Sequence, residues 1–223
     1  MALSRVNTTS GTADAGATTL PATAANHTTG NLIVAFVFWS NNVNANNPTD
    51  TAGNTYASTG FKASFSTTDH VEIFYAKNIT GNASNVVTAN YSASATFRRI
   101  IVHQYSGADT TAPFTAGEGN QATVNPGTSL ATSAWTTAKA DEVLCGGIGG
   151  NLSFTSLVGT SGKTKIVDLS DCASEDQIVS STGSYTASFS WSNSVTAWLS
   201  GSSFSAPAAA AAVIPDIVMA PIR

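Results

Sequence analysis

The sequence predicts an all-β protein: a two-sheet antiparallel β-sandwich, jelly-roll-like, followed by an extended C-terminal arm. Three observations carry that expectation. Runs rich in β-branched and aromatic residues recur about every 10–20 residues, the spacing of a sandwich. Clusters of Asn, Asp, Pro and Gly punctuate them, and no long amphipathic helix intervenes. Along the chain, Leu32–Trp39 is a continuous apolar run of strand length, which reads as a strand covered on both faces. Val71–Ala76 and Arg98–Tyr105 follow with the same β-forming chemistry. Ser129–Thr136, Glu142–Ile148, Lys163–Leu169, Tyr185–Trp191 and Val195–Phe204 complete the set. Turns are expected at Asn46–Asp50, Thr80–Asn82, Asn125–Gly127 and Gly159–Gly162. Asp109–Gly127 reads as a long crossing loop, and Ser170–Gln177 and Pro207–Val213 as weak helices.

No repeat with a period of about 20–50 residues is visible, and the composition does not shift between halves. The chain therefore reads as one domain, residues 1–205, and an arm, residues 206–223. The arm carries Pro207, Pro215 and Pro221, so it cannot continue as a long helix past Pro215. Its apolar residues Val213, Ile214, Ile217, Val218 and Met219 would be exposed if left in water. They read as contacts to a neighbouring subunit or to a particle, which makes a homo-oligomer the expected state.

Charge narrows the function. Nine Lys+Arg against 13 Asp+Glu leave a net charge of −4, and only 10% of residues are charged. An ordinary globular protein has about 25%. Instead, 28 Ser, 31 Thr and 17 Asn supply the polarity. Nucleic acid is excluded as a main partner, because a phosphate backbone needs clustered cations and the only adjacent basic pair is Arg98-Arg99. Membrane insertion is not expected: the longest strongly apolar run, Leu32–Trp39, falls far short of the ~20 residues a spanning helix needs. The first residues show no basic segment leading into an apolar one, so no secretory leader is expected. A hydroxyl-rich, lysine-poor composition without a leader fits a protein released by lysis, as a virion component is.

The chemistry-bearing residues are sparse. Cys145 sits in an apolar stretch and reads as a buried thiol, with its pairing to Cys172 left open. Gly159-Thr160-Ser161-Gly162-Lys163-Thr164 ends like a phosphate-binding loop, but Leu157 stands where the first glycine is required, so a turn is expected. Asp168, Asp171, Glu175 and Asp176 lack the oxygen-ligand spacing of a calcium loop. His27, His70 and His103 have no partner at metal spacing, and no Gly-x-Ser-x-Gly elbow exists. Neither a catalytic set nor a cofactor site is therefore expected. The alternative to an assembly role is a carbohydrate-binding module or adhesin at the cell surface. In it, Trp39 and Tyr56 would stack on sugar rings while Asn46 and Asp50 supply a polar rim.

Gly30-Asn31-Leu32-Ile33-Val34, Asp50-Thr51-Ala52-Gly53-Asn54-Thr55-Tyr56, Tyr75-Ala76-Lys77-Asn78-Ile79 and Tyr105-Ser106-Gly107 together resemble a widespread β-sandwich family. Its members occur in phage structural proteins and bacterial surface proteins. The resemblance covers residues 30–110 well and the closing strands loosely, and it brings no catalytic residues. It implies a jelly-roll-like sandwich and a role in assembly or surface attachment. The expected function is thus a non-enzymatic virion protein, a capsid decoration protein or tail appendage acting through protein–protein interfaces.

Overall fold

Leu32–Trp39 is buried at every position because it lies between two apolar layers, and the rest of the fold is arranged around it. The computed structural model describes residues 2–208, and among them only strands and turns form. In chain order the strands are β1 (Ser4–Ala13), β2 (Ala17–Pro21), β3 (Ala25–His27), β4 (Leu32–Ser40), β5 (Ala45–Asp50) and β6 (Ala57–Phe65). Next come β7 (Asp69–Ala76), β8 (Asn82–Asn85), β9 (Val87–Ser106), β10 (Gly119–Ala131), β11 (Trp135–Thr136) and β12 (Glu142–Gly150). The last are β13 (Val158–Gly159), β14 (Thr164–Asp168), β15 (Cys172–Val179), β16 (Ser184–Tyr185) and β17 (Ser188–Ser205).

Two antiparallel sheets pack face to face as a β-sandwich. The first runs β1-β9-β4-β7-β6 and belongs wholly to the N-terminal half; the second runs β10-β17-β12-β15-β14 and belongs to the C-terminal half. The two orders are the same: in each, the first long strand sits beside the last, then come the second, fourth and third. The small pairings repeat as well. β3 pairs β8 as β11 pairs β16, and β5 lies on β9 as β13 lies on β17. The molecule is one strand pattern used twice.

Alternation along each strand produces three apolar clusters rather than one. Leu32, Val34, Phe36 and Phe38 of β4 face the other half, where Val143, Cys145, Trp198 and Phe204 meet them. Ile33, Ala35, Val37 and Trp39 face the opposite way, onto Val87, Ala89 and Tyr91 of β9, which folds back over its own sheet. The C-terminal half mirrors this with Leu144, Ile148, Phe189 and Leu199. The central contact depends on size complementarity. β4 presents phenylalanines where β12 presents Gly147, and a Cβ added there would lie 2.7 Å from Phe36 Cδ1.

Several sequence expectations change. Ser170–Gln177 is no helix: β15 covers most of it, because Cys172 and Ser174 turn to the other half while Ala173 and Glu175 turn to their own core. The expected strand Ser129–Thr136 is split between β10 and β11, and Tyr185–Trp191 and Val195–Phe204 are largely one strand, β17. Asn46–Asp50 lies in strand β5, and the crossing loop is shorter than Asp109–Gly127 because β10 starts at Gly119. Cys145 and Cys172 are both buried free thiols. The arm contacts Val213, Ile214, Ile217, Val218 and Met219, and almost all of the alanine run, lie outside the described residues.

Gly147→Val should destabilise the fold by about 1–3 kcal/mol, the usual range for overpacking a core. Combined with Phe36→Leu, which frees space at the same contact, the loss should be less than the sum of the two single losses. Urea unfolding of the four proteins tests this, and strictly additive losses would remove Phe36–Gly147 from the centre of the packing.

Candidate functional site

The residues expected to form a sugar platform are mostly internal. Trp39 is 1% exposed; its Nε1 donates to Val43 O at 2.9 Å and its ring packs on His70 and Tyr91. Tyr56 is 3% exposed, and its hydroxyl donates to Asp50 Oδ2 at 2.9 Å. Asp50 is a hub, not a rim. Its Oδ1 accepts from Asn54 N at 2.9 Å, and its Oδ2 accepts from Asn54 Nδ2 at 2.8 Å and Asn85 Nδ2 at 3.0 Å. Gly53 makes the turn possible with φ of 75°. Burial alone would raise the Asp50 carboxyl; the hydrogen bonds from Asn85, Asn54 and Tyr56 outweigh it and hold the group below its ordinary value. Only Asn46 of the expected four is exposed, opposite Asn90 on β9. Trp39, Tyr56 and Asp50 therefore offer no stacking face or open rim.

Other titratable groups are also placed apart. Asp168 pairs with Lys165 and Asp171 with Arg99, while Asp176 and Glu175 point to opposite faces of β15. Glu175 is buried with its carboxyl pushed up to about 8, chiefly by desolvation and despite a hydrogen bond from Ser188 N and the nearby Lys163. The Gly159–Lys163 segment is a turn, and Lys163 is buried.

Between the halves runs a buried polar chain. Tyr105 Oη donates its single proton to Asp176 Oδ2 at 2.9 Å. His103 Nδ1, 2.8 Å from Tyr105 Oη, must then donate to that hydroxyl oxygen. That assigns His103 Nε2 as the acceptor of the Ser174 hydroxyl at 2.8 Å. Arg5 closes the chain at Asp176, 2.9 Å away. The serine and histidine have no exposed surface, so this Ser–His pair joins two sheets and meets no solvent. Burial, with a smaller push from Arg5, drives the His103 imidazole down to about 3.

The open chemistry lies where the sheet-to-sheet contact ends. A cleft of about 540 Å³ is lined by both halves: Phe38 and Trp198 at the apolar contact, Asn41 and Phe97 from the N-terminal half, Asn151 and Leu152 from the C-terminal half. Arg99 crosses between them. Its Nε and Nη2 hold Asp171 at 3.1 and 2.7 Å, and Nη1 pairs with Asp14 at 2.8 Å. Asp69, also lining the cleft, accepts from Ser40 Oγ at 2.6 Å and Thr68 Oγ1 at 3.1 Å. No sequence pattern marks this cleft, because its residues come from chain segments far apart. A second hollow of about 470 Å³ lies along Gly53, Asn54, Tyr75 and Lys77.

Compared with protein families, with characterised proteins and with solved structures, the chain finds no significant match.

The buried histidine fixes a pH dependence. Below its ordinary pKa of 6.5 the unfolded chain binds a proton at His103, and the folded chain does not until about pH 3. Stability contributed at this position therefore falls as pH drops through that window. Replacing the ring with His103→Gln should flatten the acid side of the stability curve, by at most about 1.4 kcal/mol per pH unit. Urea midpoints from pH 4 to 7 measure it (the range is about the titration window); equal slopes in both proteins would refute it.

Proposed function

We propose that the protein is a non-enzymatic structural component of a bacteriophage particle, a capsid decoration protein or tail appendage that works by contact. One observation carries the reading: the motifs by which the sequence resembles phage structural and bacterial surface sandwiches all have architectural jobs. Asp50, Asn54 and Tyr56 lock the turn after β5. Tyr75 packs against Phe114 and Phe204, joining the halves. Tyr105 carries the polar chain across the interface. The resemblance is therefore one of scaffold, and a scaffold with an uncharged hydroxyl and amide exterior suits work done by surfaces. Partners on this reading are further copies of the chain and other virion proteins.

Light scattering on the full chain and on a version ending at Pro207 tests the assembly role. The cut spares Ala206, which is buried and whose N–H donates to Asp141 O at 2.8 Å. A trimer or larger assembly that falls to monomer on truncation supports the arm as the oligomer contact. A monomer in both cases, with no binding to phage particles, rejects it.

A further inference from the structure

We infer that the cleft between the two halves binds a neutral oligosaccharide. The inference does not depend on the protein's being part of a particle. At about 540 Å³ the cleft lies within the ~300–1,000 Å³ usual for small-ligand sites, and four features of it select the ligand.

The first is exposed apolar surface. Few large hydrophobic side chains of the described residues stand in solvent, and two of them, Phe97 and Leu152, each 57% exposed, line this one cleft from opposite halves. The other aromatics among the described residues are buried or half-buried, so an open phenyl ring here needs a reason.

The second is backbone conformation. Phe97 has φ of 44° and Asn41 has φ of 88°, and both line the cleft. A left-handed backbone is unfavourable for a bulky L-residue, and Phe97, more than half exposed, offsets little of that by burial. Its N–H donates to Asp14 O at 3.2 Å, which holds the ring out at the cleft. Strain kept at an exposed aromatic points to use of that aromatic.

Charge is the third. Among the described residues Arg99 is the only cation lining the cleft, and its guanidinium is engaged by Asp171 and Asp14. With Asp69 added, the local balance is acidic. A phosphate, sulfate, carboxylate or nucleotide would meet no free positive group and two carboxylates. A neutral ligand avoids that repulsion.

The fourth is the pattern of polar groups. Asn151 Oδ1 accepts from Thr196 N at 3.0 Å, which fixes the amide and leaves Nδ2 as a donor on an exposed side chain. Asp69 and Asp171 present carboxylate oxygens, and Ser153 and Thr96 add hydroxyls. Trp198, 6% exposed, has its Nε1 donor without a partner among the described residues. A sugar ring answers this arrangement: its C–H face packs on an aromatic ring such as Phe97, and its hydroxyls both donate and accept.

The full-length protein is titrated against immobilised neutral oligosaccharides built on glucose, galactose, mannose, rhamnose and N-acetylhexosamines, beside sialylated and sulfated glycans. Wild type should bind at least one neutral glycan, at a Kd of about 1 mM or tighter. Phe97→Gly and Asn151→Ala should each weaken binding by about tenfold or more, while Phe97→Tyr, which keeps the ring, and the remote Asn46→Ala should stay within about twofold. Phe97→Gly should unfold at the same temperature as wild type or higher, since glycine relieves the left-handed strain. That separates lost binding from lost folding. Binding confined to acidic glycans, no binding to any neutral glycan, or full binding by Phe97→Gly overturns the inference.

Discussion

Everything else in the molecule follows from how two sheets fill the space between them. Stacked sheets sit about 10 Å apart, too close for two facing rows of large side chains. The chain meets that limit unequally. β4 brings Phe36 and Phe38, and β12 answers with Gly147, so the phenyl rings lie against bare backbone. A half with large residues at both strands would be pushed apart; a half with glycine at both would leave voids. The asymmetry makes the two copies of one strand pattern into partners that each need the other.

Apolar contact alone does not fix how the sheets are oriented, since one greasy face slides readily on another. The Ser174–His103–Tyr105–Asp176–Arg5 chain supplies the missing specificity, because each group bonds the next and all lie in or beside the contact. A buried polar group left unpaired costs about 1–3 kcal/mol, so slippage that breaks one bond of the chain is penalised. Arg99 does the same at the cleft end, where its pairs with Asp171 and Asp14 tie a β9 residue to both halves. These ion pairs also engage the one cation that lines the cleft among the described residues.

How much of this was legible depended on where each residue's partners lie. Leu32–Trp39 could be read directly, because a strand covered on both faces is apolar at every position. β15 could not. Cys172–Val179 carries polar residues on both faces, and they are tolerated only because Tyr105, His103 and Lys163, remote in sequence, meet them. The repeated strand order was equally hidden. Laying the β4/β7 ladder on the β12/β15 ladder from their first pairs sets Ile33 against Glu142, Phe36 against Cys145 and Phe38 against Gly147, and across these strands only Val34/Val143 and Glu72/Glu175 are the same residue.

The sequence by itself determined the all-β class, the central strands, the low charge and the turn at Gly159–Gly162, because periodicity, composition and local backbone chemistry are properties of neighbouring residues. Only the tertiary structure decided which aromatics are buried and which stand open. Trp39 and Phe97 are both aromatic residues within strands, yet one is 1% and the other 57% exposed. The difference lies in whether the fold lays another strand across the ring. β9 folds back over Trp39, and Phe97 sits where that same strand turns, left open to the cleft by the described residues.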